Sequence, residues 1–506
     1  MTVRVDALII GAGFAGIAQG LTLRDAGVRS FFIAERAESV GGTWRDNSYP
    51  GIACDVPSHL YGLETHPWPG WSRVFAPGAE IREYLERVVV TEGLDRHLLL
   101  GSTMTSARWD GSTWHVTLTT PFPVTPVHND ANSRPKVSET GTRGGRGQKL
   151  ASLCTREVVA DSLILAAGRL TEPKIPQIPG LHTFPGPMFH SARWRHDLDL
   201  ADKRVAVVGT GATAIQLAPA LARLGARVTL FQRTPAWIVP RGDRAVDGSE
   251  MRAYEDDPAL LARHRDELYA EGEARFASRS GDPDAAAAAE RIARDHLAAQ
   301  VADPLLREQL TPGYAFGCKR VLLSDDFYPA IADGSIALEP SALAAVRGSR
   351  LVAASGASYD ADVVVLATGF ETTRQPYAAL VMGEFETLDE HWARGMTAVA
   401  STLVSGFPNL YVLNGPNASL GHNSSILISE AQARFAAGLI ARGDRVSVTA
   451  EAERESTADI ARRAARTPWL TGGCQNWYVD ERSGALALLW PGTVAEFRQR
   501  LEGTLP

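Results

Sequence analysis

Two glycine clusters, each followed at the same distance by a charged residue, have the types and spacing to do chemistry. One is Ala7-Leu-Ile-Ile-Gly11-Ala-Gly13-Phe-Ala-Gly16, and the other Arg204-Val-Ala-Val-Val-Gly209-Thr210-Gly211-Ala212-Thr-Ala214-Ile215. Gly11 or Gly209 permits a tight turn. Gly13 or Gly211 lets backbone amides approach a pyrophosphate, and the small third residue, Gly16 or Ala214, lets a helix pack against a strand. The helix N-terminus then faces the phosphate charge. Glu35 stands nineteen residues after Gly16, and Arg233 nineteen after Ala214. A carboxylate there accepts hydrogen bonds from a ribose diol, whereas a guanidinium matches a 2′-phosphate. The doubled, charge-switched pattern predicts two different dinucleotides, the second being NADPH.

Such turns need a strand before them and a helix after, and both clusters read that way. Asp161-Ser-Leu-Ile-Leu-Ala-Ala-Gly168 and Asp362-Val-Val-Val-Leu-Ala-Thr-Gly369 are near copies, 157 residues after Gly11 and 160 after Gly209. The expected fold is therefore α/β, with two Rossmann-like dinucleotide-binding domains. Residues 169–180, rich in proline, read as the linker between them. Residues 41–55 read as a structured loop, 78–90 as a helix, 114–119 as a strand and 407–411 as another, with a helix starting near Ser424. The first domain is expected over 1–170 and 379–506, and the second over 181–378 with a helical insertion at 245–305. Within that insertion Asp284 is the expected N-cap and Pro304 the expected stop. Residues 121–150, rich in Pro, Gly, Ser and Thr, read as a flexible insertion.

Composition narrows the function. The 506-residue chain has a net charge of −7, which gives no reason to expect nucleic acid. No apolar run approaches a membrane span, and strand-like residues begin almost at Met1, so a cytoplasmic protein without membrane insertion is expected. Cys54, Cys154, Cys318 and Cys474 are widely separated, which argues against a disulfide framework and against a dithiol reductase. No metal site is expected.

Two longer motifs accompany the turns. Phe184-Pro-Gly186-Pro-Met-Phe-His190-Ser-Ala-Arg-Trp194 fits F-x-G-x-x-x-H-x-x-x-W, and residues 42–55 fit G-x-W-x-x-x-x-[FY]-P-G-x-x-x-D. With Cys318-Lys319-Arg320, Ala367-Thr-Gly-Phe370 and Cys474-Gln-Asn-Trp477-Tyr478, almost the whole chain resembles the class B flavoprotein monooxygenases, specifically the Baeyer–Villiger monooxygenases. Arg195 departs from that pattern, where the family usually has Pro or Asp.

The resemblance implies FAD and NADPH as cofactors, with O₂ and a small ketone as substrates. A C4a-peroxyflavin would insert one oxygen atom beside the carbonyl to give an ester or lactone. An amine or sulfide oxygenase on the same scaffold is the alternative. The resemblance makes Arg320 the catalytic cation and Asp55 its partner near the flavin. It places Thr43, Trp44 and Tyr61 at FAD, and Lys319, Arg233, Thr234 and Trp477 at NADP. His190 and His422 are expected to order structure rather than move protons. Substrate identity and oligomeric state are left open.

Overall fold

The computed structural model describes residues 2–120 and 154–504, and the insertion read at 121–150 lies outside the described residues. Two sheets organise the chain. The first has eight strands. Thr2–Ile10 lies at its centre, between Phe31–Ala34 and Cys154–Leu165, and all three run parallel. Cys154–Leu165 is long enough to serve two partners on its other side. Its first half pairs antiparallel with Trp114–Thr120, and Leu163–Leu165 pairs with Leu410–Val412. Val381–Met382 forms one edge, pairing with Thr103–Trp109. The second sheet has five strands, all parallel, in the order Ile336–Glu339, Arg227–Phe231, Arg204–Val208, Val363–Leu366, Met188–His190. Val363–Leu366 is buried at every position, as a parallel strand covered on both faces must be.

The two halves repeat each other at the level of single atoms. Gly11 N donates to Ala34 O at 2.8 Å and Gly209 N to Phe231 O at 3.1 Å, while Ala166 N reaches Ile10 O and Ala367 N reaches Val208 O. Both glycines are left-handed, with φ of 109° and 115°. A Cβ on Gly11 would lie 2.5 Å from Ala166 O, and one on Gly209 2.5 Å from Ala367 O. The near-copied strands therefore stop each turn from taking a side chain. The first half is tighter at its third small residue. A Cβ on Gly16 would sit 1.8 Å from Gly11 O, whereas the equivalent Ala214 fits, fully buried. Gly16→Ala is accordingly expected to push the turn apart. Overpacking of about 1–3 kcal/mol should appear as a lowered Tm together with substoichiometric flavin in the purified protein. Normal flavin content and Tm would show that the turn tolerates a methyl group.

The expected helices at 78–90 and from Ser424 are present as Gly78–Thr91 and Ser425–Arg442, the latter capped by Ser424. The insertion is helical, as Gly248–Asp256, Pro258–Ala274, Pro283–Gln300 and Pro304–Leu310. Two details differ from the sequence reading. The N-cap of the third helix is Asp282, which accepts from the amides of Asp284 and Ala285, because Pro283 occupies the first helical position. Pro304 does not stop that helix but starts the next one, under the Asp303 cap. A short helix, Thr43–Asp46, also lies inside the loop read at 41–55.

In place of a disulfide framework the structure holds one isolated bond. Cys318 and Cys474 are bonded across 156 residues of sequence, a separation at which spacing carries no signal. Cys54 and Cys154 are free. Among the described residues no helix is long and apolar enough to cross a membrane, and no cluster of ligands suits a metal.

Candidate active site

The loop carrying Trp44 and Asp55 crosses from the first glycine turn to the helix of the second. A Cβ on Gly51 would lie 2.7 Å from Gln216 O, and the Gln216 side chain bonds both N–H and C=O of Ala53. Tyr49 is buried in one cluster with Ala214, Ile215 and Leu217 of that helix. The loop thereby delivers Asp55 to the segment between Tyr314 and Val321. There Arg320 donates from Nε to Oδ2 at 2.7 Å, and its Nη2 forms an ion pair with the same oxygen at 2.7 Å. About a quarter of each side chain stays open, 28% for Arg320 and 27% for Asp55. Burial alone would raise the Asp55 carboxyl, but the guanidinium outweighs it and holds the group below its ordinary range. Asp55 in turn raises the pKa of Arg320, so the pair is ionised at any working pH.

Around this pair stand residues from both halves. Tyr61 packs edge-on against Trp44 at 5.5 Å and Phe14 at 5.4 Å. Thr43 opens the short helix beside them. On the second half, Thr210 donates to Thr234 O at 2.7 Å, tying the glycine turn to the strand end that carries Arg233. Lys319 lies over the Tyr314 ring at 4.9 Å, and burial followed by repulsion from Arg233 lowers its pKa. Neither Arg233 nor Lys319 pairs with a carboxylate among the described residues, which suits two cations awaiting a phosphate dianion.

The helix ends supply a second test of fit. Phe14–Asp25 and Ala212–Arg223 start at Gly13 and Gly211 with no side-chain cap and no acidic residue in the first turn. The four insertion helices are instead capped by Asp247, Asp257, Asp282 and Asp303. Free amides at two glycine-capped helix ends fit two pyrophosphates, whereas an aspartate cap would repel them. Glu35 is more occupied than expected. Its oxygens already accept from Ala12 N and Ala37 N at 2.9 Å and face Arg45, so a ribose diol would share them.

Trp477 is not brought into the cluster as a buried contact. It is 36% exposed, and its carbonyl accepts from Thr372. His190 is buried with its Nδ1 accepting from Ala192 N. Burial pushes its pKa down to about 4. A neutral imidazole has no proton to exchange near neutrality, so His190→Gln should leave the pH dependence of kcat/KM between pH ~5 and ~8 unchanged in shape. Loss of a limb in that range would make His190 a proton carrier. Arg195 lies at the surface, bonded through Nε and Nη2 to Asp197 at 2.7 and 2.6 Å, away from the arginine–aspartate pair.

A protein-family model described as pyridine nucleotide-disulphide oxidoreductase matches residues 5–257. A Baeyer–Villiger monooxygenase of Streptomyces coelicolor is 42% identical over 504 residues, covering 98% of this chain and 90% of that one. The chain belongs to the Baeyer–Villiger monooxygenase family. Among solved structures, cyclohexanone monooxygenase from Rhodococcus sp. Phi1 bound to NADP⁺ is 26% identical, with a TM-score of 0.82 and coverage of 99% of this chain and 97% of that one. OTEMO in complex with FAD and NADP is 25% identical, with a TM-score of 0.80 and the same coverage.

Within this Baeyer–Villiger monooxygenase the disulphide in the family model's description has no counterpart of the dithiol kind. Cys54 is buried alone, with its thiol pushed well up by burial and then by Asp55, and Cys318 is bonded to a distant partner. Sequence reasoning missed two residues at the arginine. Arg241 donates from Nη2 to Cys54 O at 3.0 Å and adds a second positive charge beside Asp55. Tyr478 is buried and is an electrostatic neighbour of Arg320. Tyr478 directly follows Trp477 in a motif already singled out, so its position was available; its direction was not.

Proposed function

We propose that this chain inserts one oxygen atom of O₂ beside the carbonyl of a small ketone, giving an ester or lactone, at the expense of NADPH. In this reading FAD binds at the first glycine turn, in a unit made of 1–170 and 379–506. NADPH binds at the second, within 181–378. FAD, reduced by NADPH, supplies the activation of O₂. The chain's own residues do the rest. Gly11, Gly13 and Gly16 admit one pyrophosphate, while Gly209, Thr210, Gly211 and Ala212 admit the other. Arg233, Thr234 and Lys319 hold the 2′-phosphate. Thr43, Trp44 and Tyr61 shape the flavin side, and Trp477 lies on the nucleotide side.

The carrying observation is the Arg320–Asp55 ion pair, in which Nε donates to Oδ2 and Nη2 lies 2.7 Å from the same oxygen. A carbonyl is attacked by an anionic oxygen, and a fixed cation in a site shielded from water stabilises that charge as it forms. Oxygenation of an amine or sulfide needs the protonated oxygen donor and no such cation, so the pair favours the ketone. Asp55 aims the guanidinium and balances part of its charge, with the buried Tyr478 as a further electrostatic neighbour. The test is a screen of ketones, amines and sulfides that follows NADPH consumption alongside product mass. Ketones should gain one oxygen in step with NADPH; oxygen gain by amines or sulfides alone would assign the chain to heteroatom chemistry.

A further inference from the structure

Arg279 is a buried cation that the reading above does not use. It ends the turn Ala277–Arg279, between the second and third insertion helices, and is 9% exposed. Three segments meet at its side chain. A Cβ on Gly317 would lie 3.4 Å from its Cγ, and one on Gly421 3.9 Å from its Cδ. Its guanidinium stands 6.0 Å from the Phe316 ring. It is thus enclosed by the insertion, by the loop that leads into Arg320, and by the loop at Gly421. Arg320 and Tyr478 are both within its electrostatic reach.

Its bonding is incomplete in a specific way. Nη1 donates to Arg275 O at 3.0 Å and Ser278 Oγ at 2.8 Å. Nε and Nη2 have no acceptor, and no carboxylate pairs with it, among the described residues. Neighbouring Glu273 is occupied by Asn423, by His422 and by the amide of Val494. Other buried arginines are better supplied. Arg265 donates to the carbonyls of His59, Leu60 and Gly62, and Arg169 to those of Leu488 and Ala418. Burial pushes the Arg279 guanidinium down to about 10, leaving it charged near neutrality. The two free donors, Nε and Nη2, form the guanidinium edge that grips a carboxylate side-on.

We infer that Arg279 binds an anionic group on the substrate, so that the preferred substrate is a ketone carrying a carboxylate, held with its carbonyl toward Arg320. This rests on the ketone reading above. The other source of an oxyanion is a dinucleotide phosphate. The glycine turns, Arg233 and Lys319 already provide for the phosphates, and Arg279 comes from the insertion rather than from either turn.

Matched probes separate the possibilities: 6-oxoheptanoate and its methyl ester as substrates, and cyclohexanecarboxylate and cyclohexanecarboxamide as unreactive ligands. Both pairs are measured on wild type, Arg279→Gln and Arg279→Lys holoenzyme, with flavin content and Tm reporting the fold. A charge-assisted pair predicts that wild type favours the acid over the ester by ~10–100-fold in kcat/KM. That ratio should fall toward one in Arg279→Gln and recover only partly in Arg279→Lys. Cyclohexanecarboxylate, but not the amide, should perturb the flavin spectrum of wild type and not of Arg279→Gln, while NADP⁺ affinity stays within ~2-fold.

No preference for the acid in wild type overturns the inference. So does a loss of NADP⁺ affinity that is equal with and without the carboxylate, which would give Arg279 to the cofactor. If neither ketone is converted, oxygen insertion into ketones fails for these probes, and the unreactive pair decides Arg279 alone. Carboxylate binding that depends on Arg279 upholds the anion site, and its absence removes it. Should both variants misfold, the two wild-type comparisons still decide.

Discussion

Arg320→Ala is expected to bind FAD and NADP⁺ but to yield almost no ester from ketones, with NADPH oxidation diverted to hydrogen peroxide. Removing a fixed cation from the place where negative charge develops typically lowers the rate by ~10²–10³. The structure adds a second consequence. Asp55 would lose the neighbour that holds its carboxyl down, leaving burial, which raises it, opposed by its own backbone amide and then by Arg241. The Asp55→Asn Arg320→Ala double variant should therefore recover stability relative to Arg320→Ala without recovering ester formation, since it removes the uncompensated carboxylate and not the need for a cation. Arg320→Lys should recover little, because a flexible ammonium cannot reproduce the planar fork whose Nε and Nη2 both stand 2.7 Å from Oδ2. Product analysis with peroxide quantified in parallel checks all three variants. Ester formed by Arg320→Ala at near wild-type rate would separate the pair from the chemistry.

Arg233→Ala is expected to raise the KM for NADPH by ~10–100-fold while leaving that for NADH nearly unchanged, the size of one charge-assisted contact to a phosphate dianion. Lys319 should show a smaller effect in the same direction. It is half-buried and already repelled by Arg233, so removing either cation relieves the other. In the double variant the losses should therefore fall short of additive. Steady-state kinetics with both nucleotides decides it, and equal losses with NADH and NADPH would remove the 2′-phosphate assignment.

The parts legible in the sequence were those whose physics is local. Gly11 and Gly209 announce themselves because a left-handed turn against a neighbouring strand admits no Cβ, and their strands because a parallel strand buried on both faces is uniformly apolar. Arg320 and Asp55 were found through motifs, and the structure places them in contact across 265 residues. What stayed hidden depends on which distant loops meet. Arg279 and Arg241 are two among 51 lysines and arginines, and nothing near them in sequence marks the first as buried or the second as a neighbour of Asp55. The Cys318–Cys474 bond is of the same kind. The cap at Asp282 was missed for a smaller reason: Pro283 has an aspartate on each side, and only the preceding one can face the free amides.

The two sheets also differ in when they can close. Every strand of the five-stranded sheet lies between Met188 and Leu366, so it is complete once that stretch has left the ribosome. The eight-stranded sheet begins at Thr2 but still needs Leu410–Val412 beside Leu163–Leu165. The helix Phe14–Asp25 likewise needs Ser425–Arg442, against which Thr22 bonds Ala433 O. Leu410 follows Leu165 by 245 residues. At ~5–20 residues per second the nascent chain carries an open, apolar sheet flank for roughly 12–50 s. The half synthesised first is therefore the last to fold, and the interval in between is when this protein most needs a chaperone.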